Sequence, residues 1–367
     1  MRPLLHPAPL SIGLMATLLS TAALADVPQV ATDIAPVHSL VAQVMGDLGE
    51  PALIVQPGAS PHGYSMRPSE AQALDDADLV VWIGEALTPW LQGPVETLGE
   101  GASVLELMSV TGTILYDYRE GATFGAHDHG DHEGHDHDHD HEKAEAHDHK
   151  HDHDKAEAHD HAHDHDKAEA HDHAHDHDKA KAEADSHAGD HAGHDHSGSD
   201  AHAWLDPANG RVWLGAIAAE LSRLDPDNAA TYAANAAAGQ AALEALEAEL
   251  TAELAPLAET GFVVFHDAYQ YFERRFGLQA AGAISFSDAS TPSAGRIAEL
   301  REAVATMGAS CVFAEPQFSS GLVETVFGDS ATVGLLDPLG QDLEPGADLY
   351  PQVLRTMAGA FTTCLAP

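Results

Sequence analysis

A stretch of 70 residues, 127–196, contains no apolar side chain larger than alanine. It holds 23 of the 28 histidines, most of them alternating with aspartate. A 12-residue unit close to KAEAHDHAHDHD occurs three times within it, at 143–154, 155–166 and 167–178. A segment of this composition cannot bury enough surface to offset its ordering entropy, so we expect it to be disordered. We call it the tract, and the fold must be built from the chain on either side of it.

The tract is chemically suited to metal binding. Neutral imidazole and carboxylate groups are ligands that suit Zn²⁺, Ni²⁺ and Cu²⁺. The alternative interpretation is a solvated polar spacer, whereas an affinity tag does not fit a length of 70 residues with an internal repeat. The histidines that we expect to act as auxiliary metal ligands are His135, His137, His139, His141, His151, His153, His163, His165, His175 and His177.

Residues 1–25 have the three parts of a secretory signal peptide. Arg2 supplies the positive end, an apolar run covers 10–24, and an A-x-A cleavage pattern closes it at 23–25. We expect the mature chain to begin near Asp26 and to be exported as a soluble protein. No later segment has about 18 continuous apolar residues, so the sequence predicts no transmembrane segment.

Charge and cysteine content restrict the partners and the compartment. The formal net charge of −43 argues against nucleic acid as a partner and favours solubility, with mild attraction of cations. The two cysteines, Cys311 and Cys364, suit an oxidising compartment in which they can pair; the alternative is two separate buried thiols. About 270 residues remain without the signal peptide and the tract, enough for two domains of ordinary size.

Short apolar segments alternate with helical patterns before the tract. The predicted strands are 29–33, 52–56, 79–83 and 104–107, and the predicted helices are 36–45 and 69–77. Ser69 is the expected N-cap of the second helix. The continuous apolar run at 79–83 is typical of a strand buried on both faces of a parallel sheet.

The same alternation resumes after the tract, beyond two helices. The first predicted helix is 206–224, and the second runs from 225 to about 254, a length of about 43 Å that could span two lobes. The later strands are 262–265, 281–285, 311–314 and 333–336, separated by helices near 267–276, 293–307, 321–327 and 349–361.

These patterns predict an α/β fold of two βα lobes, each with a mostly parallel sheet, joined by one long rigid helix. The expected boundaries are 26–224 for the first lobe, 225–256 for the linking helix and 257–367 for the second lobe. The tract is then an insertion in the first lobe.

Four polar residues outside the tract form a candidate metal site. His62, His202, His266 and Asp337 each lie at or just past the carboxyl end of a predicted strand or at a loop-to-helix turn. Ligands of open α/β sheets bind there, and three imidazoles with one carboxylate suit tetrahedral Zn²⁺. A single histidine is more often structural, so the prediction depends on all four. His38 lies inside a helical pattern and is predicted to be structural.

Six stretches, in the order GASPHGYSMRPS, DADLVVWIG, HAWLDP, VVFHDAYQYFERRFGL, CVFAEPQF and LDPLG, resemble a known family. It comprises the zinc-binding solute-binding proteins of bacterial high-affinity zinc ABC transporters, the ZnuA-like group of cluster A-I. The resemblance covers essentially the whole mature chain, and a His/Asp-rich insertion before HAWLDP is also a family trait. It implies two lobes joined by a rigid helix, which bind Zn²⁺ between them in the periplasm and pass it to a permease with a separate ATPase subunit. We expect the protein to be a monomer.

Residue by residue, the resemblance implies His62, His202 and His266 as zinc ligands. Manganese-binding relatives carry a carboxylate where His266 stands, so His266 favours zinc. Some family members use a glutamate just before the first histidine ligand, but Pro61 occupies that position here. The fourth ligand is then Asp337 or water, and we predict Asp337. Glu315, in FAEPQF, is either a partner of a ligand or part of a salt bridge.

The resemblance also implies a disulfide between Cys311 and Cys364 that ties a strand of the second lobe to the last helix. The predicted function is zinc transport rather than catalysis, since the chain has no H-E-x-x-H motif, and no G-x-x-x-x-G-K-[ST] motif for an ATPase of its own. The tract is predicted to be an auxiliary zinc collector or sensor. The alternatives are a manganese- or iron-binding solute-binding protein and a periplasmic zinc buffer without a transporter.

Overall fold

The structure is a computed structural model that describes residues 27–119, 124, 198–258, 260–285, 293–307, 309–317, 320–328 and 330–366. The predicted signal peptide and the tract with its ten auxiliary histidines lie outside these residues. The described part has the predicted α/β fold, with two four-stranded parallel sheets surrounded by helices.

The first lobe contains a parallel sheet with the strand order β2-β1-β3-β4. Its elements are β1 (Val30–Thr32), α1 (Ala35–Met45), β2 (Ala52–Leu53), α2 (Pro68–Asp75), β3 (Leu79–Trp82), α3 (Pro89–Thr97) and β4 (Ser103–Glu106). Every residue of β3 is buried, as its continuous apolar run predicts.

Two details of this lobe differ from the expectations. Helix α2 has Arg67, not Ser69, as its N-cap residue, because Pro68 occupies the first helical position, where its fixed φ and missing N–H fit best. Helix α3 contains Pro94 in its interior, a residue that usually breaks helices, so the local sequence does not indicate a helix there.

The second lobe repeats the same topology with the strand order β6-β5-β7-β8, and all its pairs are parallel. Its elements are β5 (Phe262–His266), α6 (Gln270–Phe276), β6 (Ala280–Ser285), α7 (Ala294–Met307), β7 (Cys311–Ala314), α8 (Ser320–Phe327), β8 (Thr332–Leu335) and α9 (Leu349–Leu365). In both sheets the strand order reverses beside the first strand of the lobe, which makes that strand's carboxyl end the expected place for a ligand.

Two helices, α4 (Pro207–Leu224) and α5 (Ala229–Leu254), lie between the sheets in the chain. A short turn separates them, because the Asp225 carboxylate accepts the backbone N–H of Asn228 at 3.4 Å and the Tyr232 hydroxyl at 2.8 Å. At 1.5 Å per residue α5 is about 39 Å long. It contacts α1 and α4 as well as α6 and α9, so it joins both lobes. The lobe boundaries at 224 and 256 stay a prediction.

The apolar core runs through both lobes. The leucines of α5 that are predicted to share one face are all buried in the same cluster as residues of both sheets; they are Leu243, Leu246, Leu250 and Leu254. Cys311 in β7 and Cys364 in α9 form a disulfide with Cα atoms 5.9 Å apart, which confirms the pairing. No helix in the described part of the chain combines the length and apolar character needed to cross a bilayer.

Candidate metal centre

Three histidines from distant parts of the chain meet at one point. One ring nitrogen each of His62, His202 and His266 lies within 4.8 Å of the others. The Nε2 atoms of His202 and His266 are 3.3 Å apart. Two nitrogens at 2.0–2.1 Å from a tetrahedral Zn²⁺ are separated by about 3.3 Å, so this pair has the spacing of two ligands of one ion. Within the described residues, this is the one group of three or more His, Cys, Asp and Glu side chains with such spacing.

The fold explains why these side chains converge. His266 is the last residue of β5, at the point where the strand order of the second sheet reverses. His202 immediately precedes the short turn that leads into α4, and His62 lies in the loop between β2 and α2. The candidate site therefore takes its side chains from both lobes, at the carboxyl end of a strand and in loops.

His202 is oriented by a buried aspartate. Asp200 Oδ1 lies 2.7 Å from His202 Nδ1 and also accepts the backbone N–H of His202 at 3.0 Å. Burial raises the pKa of Asp200 to about 6, although the His202 N–H and the Gln270 amide oppose this shift. A carboxylate on Nδ1 fixes the ring and leaves Nε2 to face a metal ion. The motifs do not single out Asp200, although its place two residues before His202 was an available signal.

His266 has an equivalent partner on the neighbouring strand. Glu315 follows β7, which pairs with β5, and its Oε1 lies 2.6 Å from His266 Nδ1. Glu315 is 1% exposed. Of the two roles open for Glu315, the structure shows contact with a candidate ligand, again at the nitrogen that does not face the other imidazoles.

His62 is the most exposed of the three histidines, and its loop is anchored by α3. Trp90 of α3 donates its indole N–H to the carbonyl of Pro61 at 2.7 Å. The Tyr64 ring lies against Trp90 with centroids 5.7 Å apart. These contacts place His62 at the more open side of the site, and they depend on a helix that the sequence does not indicate.

A pocket that is partly open to solvent adjoins the three imidazoles, and the space within it, open solvent included, is roughly 260 Å³. Its walls come from both lobes and consist of Pro61, His62, His202, Trp204, His266, Glu315, Gln317, Pro338 and Leu339. Trp204 closes one wall, since its indole N–H donates to the carbonyl of Pro338 at 2.8 Å. Three imidazoles in a pocket with mainly apolar exposed walls suit a borderline cation such as Zn²⁺ better than a hard one.

The family model for the zinc-uptake complex component A, periplasmic, named ZnuA, matches residues 30–364. This chain belongs to the ZnuA family. The ZnuA high-affinity zinc uptake system protein of Paracoccus denitrificans (strain Pd 1222) is 47% identical over 356 residues, which cover 96% of this chain and 97% of that protein. The corresponding protein of Brucella suis biovar 1 (strain 1330) is 45% identical over 338 residues, covering 92% and 91%. The predicted family is confirmed, and with it a periplasmic zinc-uptake role at the level of the family.

Solved structures show the same fold. A crystal structure of a ZnuA deletion mutant with zinc bound has a TM-score of 0.65 at 22% identity, covering 93% of this chain and 99% of that chain. The solute-binding protein FpvC of Pseudomonas aeruginosa in complex with Mn²⁺ has a TM-score of 0.64 at 19% identity, covering 92% and 98%. At such identities the likeness to these structures concerns the fold alone.

Two further predicted residues of this ZnuA family member lie outside the histidine group. The Asp337 carboxylate accepts the backbone N–H groups of Leu339, Gly340 and Gln341 at 3.1, 2.9 and 2.6 Å. Its role as fourth ligand stays a prediction. His38 is buried in α1, where its Nε2 lies 3.0 Å from the carbonyl oxygen of Pro51 and burial lowers its pKa.

Proposed function

We propose that this protein captures one Zn²⁺ between its two lobes and delivers it to an ABC zinc permease of the inner membrane. The ligands are His62, His202 and His266, and the permease is driven by a separate ATPase subunit. The observation that carries the proposal is the convergence of three imidazoles, with ring nitrogens within 4.8 Å, from both lobes of a chain of the ZnuA family. The protein acts as a monomer with Zn²⁺ as its cargo.

The fourth coordination position belongs to Asp337 or to water. Asp337 lies in the loop after β8, beside the cavity wall formed by Pro338 and Leu339. Its oxygens already accept three backbone N–H groups. A carboxylate has about four lone-pair sites, so Asp337 could bind the ion while keeping some of these bonds.

Transport accounts for the site better than hydrolysis does. A catalytic zinc site keeps one position open for substrate and has a general base nearby. The two buried carboxylates behind the site, Asp200 and Glu315, instead hydrogen-bond to the Nδ1 atoms of His202 and His266. This arrangement holds ligands in place and supports a binding role.

Manganese is the second candidate cargo, because the structural neighbour FpvC is a complex with Mn²⁺. Mn²⁺ prefers carboxylate, carbonyl and water oxygens, whereas imidazole suits Zn²⁺. Three imidazoles therefore favour zinc. A titration in which Mn²⁺ competes with Zn²⁺, with the metal counted per protein, tests the proposal. We expect one tight Zn²⁺ that excess Mn²⁺ does not displace, and displacement by Mn²⁺ would contradict zinc as the cargo.

The tract serves as an auxiliary collector or sensor of zinc in this proposal. The composition of the tract predicts a coil, and a coil of 70 residues has a root-mean-square span of roughly 45 to 50 Å, and more if charge repulsion extends it. His202 follows the end of the tract by only six residues, so a metal ion held there can reach the site. A zinc buffer without a transporter is distinguished by growth: deletion of the gene should impair growth in chelator-treated medium only if the protein feeds a permease.

A further inference from the structure

The chain enters and leaves the tract side by side. We call segments 116–119 and 198–200 the tract root. Asp117 and Ser199 form an isolated antiparallel bridge, and the Asp200 N–H donates to a carbonyl of the incoming segment at 2.7 Å. The outgoing segment therefore reaches the candidate ligand His202 directly from a fixed backbone pairing.

One side chain of the tract root reaches across to the second lobe. The guanidinium of Arg119 donates from Nε to Asp267 Oδ1 at 2.9 Å, and from Nη1 and Nη2 to the two oxygens of Glu273 at 2.9 Å each. Its Nη2 also bonds to Asp267. The ring of Phe124 lies under the guanidinium at 3.8 Å. Arg119 thus holds two carboxylates of the second lobe with a planar fork that lysine cannot reproduce.

The two carboxylates that Arg119 contacts lie close to the candidate ligand His266 in the chain. Asp267 directly follows His266, and its side chain is 5% exposed. Glu273 also accepts the backbone N–H of Ala280 at 2.8 Å, which ties α6 to β6. Buried carboxylates are costly unless they are paired and hydrogen-bonded, so this part of the second lobe depends on Arg119.

We propose that Arg119 is a positioning residue of the metal site, which fixes His266 relative to His202 by clamping Asp267 to the tract root. The inference rests on the proposed function, because it assumes that His202 and His266 bind the same ion. It adds a residue that touches neither imidazole, and it gives the base of the tract a direct role in the geometry of the site.

The direction in which zinc affinity changes when Arg119 is removed distinguishes a positioning role from a purely electrostatic one. Arg119 is a cation close to a cation site, so its charge alone disfavours a bound metal. Removing that charge would strengthen zinc binding if electrostatics were the whole effect. If Arg119 positions His266, its removal weakens zinc binding instead.

The chain offers a matched control in Arg275. This arginine of α6 also pairs with a buried carboxylate across the lobes, donating to Asp206 at the start of α4 at 2.8 and 2.7 Å. Its side chain is 24% exposed, compared with 16% for Arg119. The side-chain hydrogen bonds of Arg275 go to Asp206 and to Glu247, and neither residue adjoins a candidate ligand in the sequence. Arg275→Ala therefore removes a comparable pair of ionic contacts and leaves the contacts of Arg119 with Asp267 and Glu273 in place.

The experiment compares the full chain with Arg119→Ala, Arg119→Lys and Arg275→Ala. Zinc affinity of the tight site is measured by chelator competition, and the thermal midpoint is measured without metal. Co²⁺ is the spectroscopic probe, since its visible absorption reports coordination geometry. We expect Arg119→Ala to weaken zinc binding about 10-fold or more and to change the Co²⁺ spectrum, as loss of outer contacts does at metal sites. Arg275→Ala should lower the thermal midpoint but keep the affinity within about three-fold.

The outcomes separate the two proposals. Wild-type or tighter zinc binding by folded Arg119→Ala would overturn the positioning role alone. If that variant does not fold, Arg119→Lys decides: weakened binding supports the role, and wild-type binding overturns it. Equal weakening in Arg275→Ala, with the same spectral change, would also overturn it by showing a general loss of structure. Persistence of the tight site in His266→Ala would overturn the proposed function, and this inference with it.

Discussion

At the scale of single residues, two of the three imidazoles of the candidate site are hydrogen-bonded to carboxylates through the nitrogen that faces away from the site. His202 and His266 each have Nδ1 bound to a buried carboxylate, Asp200 and Glu315 respectively. These contacts fix the rotation of both rings, so in the proposed site little ring entropy would be lost on metal binding. The energy of coordination is then available for affinity.

Removing any one histidine should disable the tight site. We expect His62→Ala, His202→Ala and His266→Ala each to weaken Zn²⁺ binding by at least about 100-fold, because an incomplete coordination sphere remains. Chelator competition measures the affinity. His38→Ala is the control, since its ring bonds to Pro51 away from the site. Unchanged affinity in any of the three variants would exclude that histidine as a ligand.

The fourth position gives a graded prediction. Asp337→Asn should lower zinc affinity less than the histidine variants do, by about 10-fold, if the carboxylate is a ligand that water can replace. The amide also disturbs the bonds to the backbone, so the thermal midpoint of the metal-free variant must be measured beside the affinity. Affinity equal to that of the wild type would assign the position to water.

The sequence indicates the candidate ligand residues better than it indicates the carboxylates and the arginine that support them. Each histidine lies in a motif with a recognisable place in the fold, so position alone suggests it. Glu315 contacts His266 because β7 pairs with β5, and since 49 residues separate the two in the chain, the sequence does not reveal this contact. The contacts of Arg119 are even harder to predict from the sequence, because its partners Asp267 and Glu273 lie in the other lobe.

At the scale of secondary-structure elements, the two sheets use the same place for different purposes. In the second lobe, His266 and Glu315 lie at the carboxyl ends of β5 and β7, where the strand order reverses. In the first lobe the same place holds Asp33, whose two oxygens accept the N–H groups of Ile34 and Ile83 at 2.8 Å each. At the carboxyl end of its first strand, the first lobe thus has a carboxylate bound to backbone, whereas the second lobe has the candidate ligand His266.

Asp33 should make stability depend on pH. Burial raises its pKa from 3.8 to about 7, so the folded protein keeps a proton that the unfolded chain loses. Its contribution to stability is full below pH 4 and falls as the pH rises through 7. Relative to Asp33→Asn, the free energy of unfolding of the metal-free wild type should fall by up to about 4 kcal/mol over that range. Urea unfolding at several pH values measures it, and a pH-independent difference would contradict the assignment.

The disulfide joins a strand to the last helix and should act on stability rather than on the metal. Cys311 and Cys364 are 53 residues apart, and closing such a loop contributes about 4 kcal/mol in the chain-entropy model. Reduction should lower the thermal midpoint of the apoprotein. Zinc affinity of the reduced but folded protein should stay near that of the oxidised form, because neither cysteine lines the cavity. A large loss of affinity on reduction would show that the disulfide shapes the site.

The elements themselves are largely predictable, and the errors have local causes. Continuous apolar runs locate the central strands, and the repeated strand–helix alternation indicates parallel sheets. Helix α3 is not predicted because Pro94 lies in its interior. Helix α5 begins later than expected because Asp225 caps a separate turn before it. In both cases specific contacts outweigh the average preference of the residues concerned.

At the scale of the whole molecule, the described fold forms the candidate site without any residue of the tract. Deletion of residues 127–196 should therefore leave one tight Zn²⁺ and remove weaker, multiple ones, because the composition of the tract predicts a disordered donor, which loses chain entropy each time it wraps an ion. Metal counting and calorimetry measure both classes. The deletion keeps the tract root, including Asp117 and Ser199, so loss of the tight ion in a folded deletion variant would contradict this division of labour.

The spacing of the three histidines along the chain also has a consequence for biogenesis. His62 and His202 are 140 residues apart, and His202 and His266 are 64 apart. Contacts of such separation form late in folding, since long loops must close first. A truncated or misfolded copy would therefore lack the proposed tight site, and it could hold zinc only through the weaker ligands of the tract.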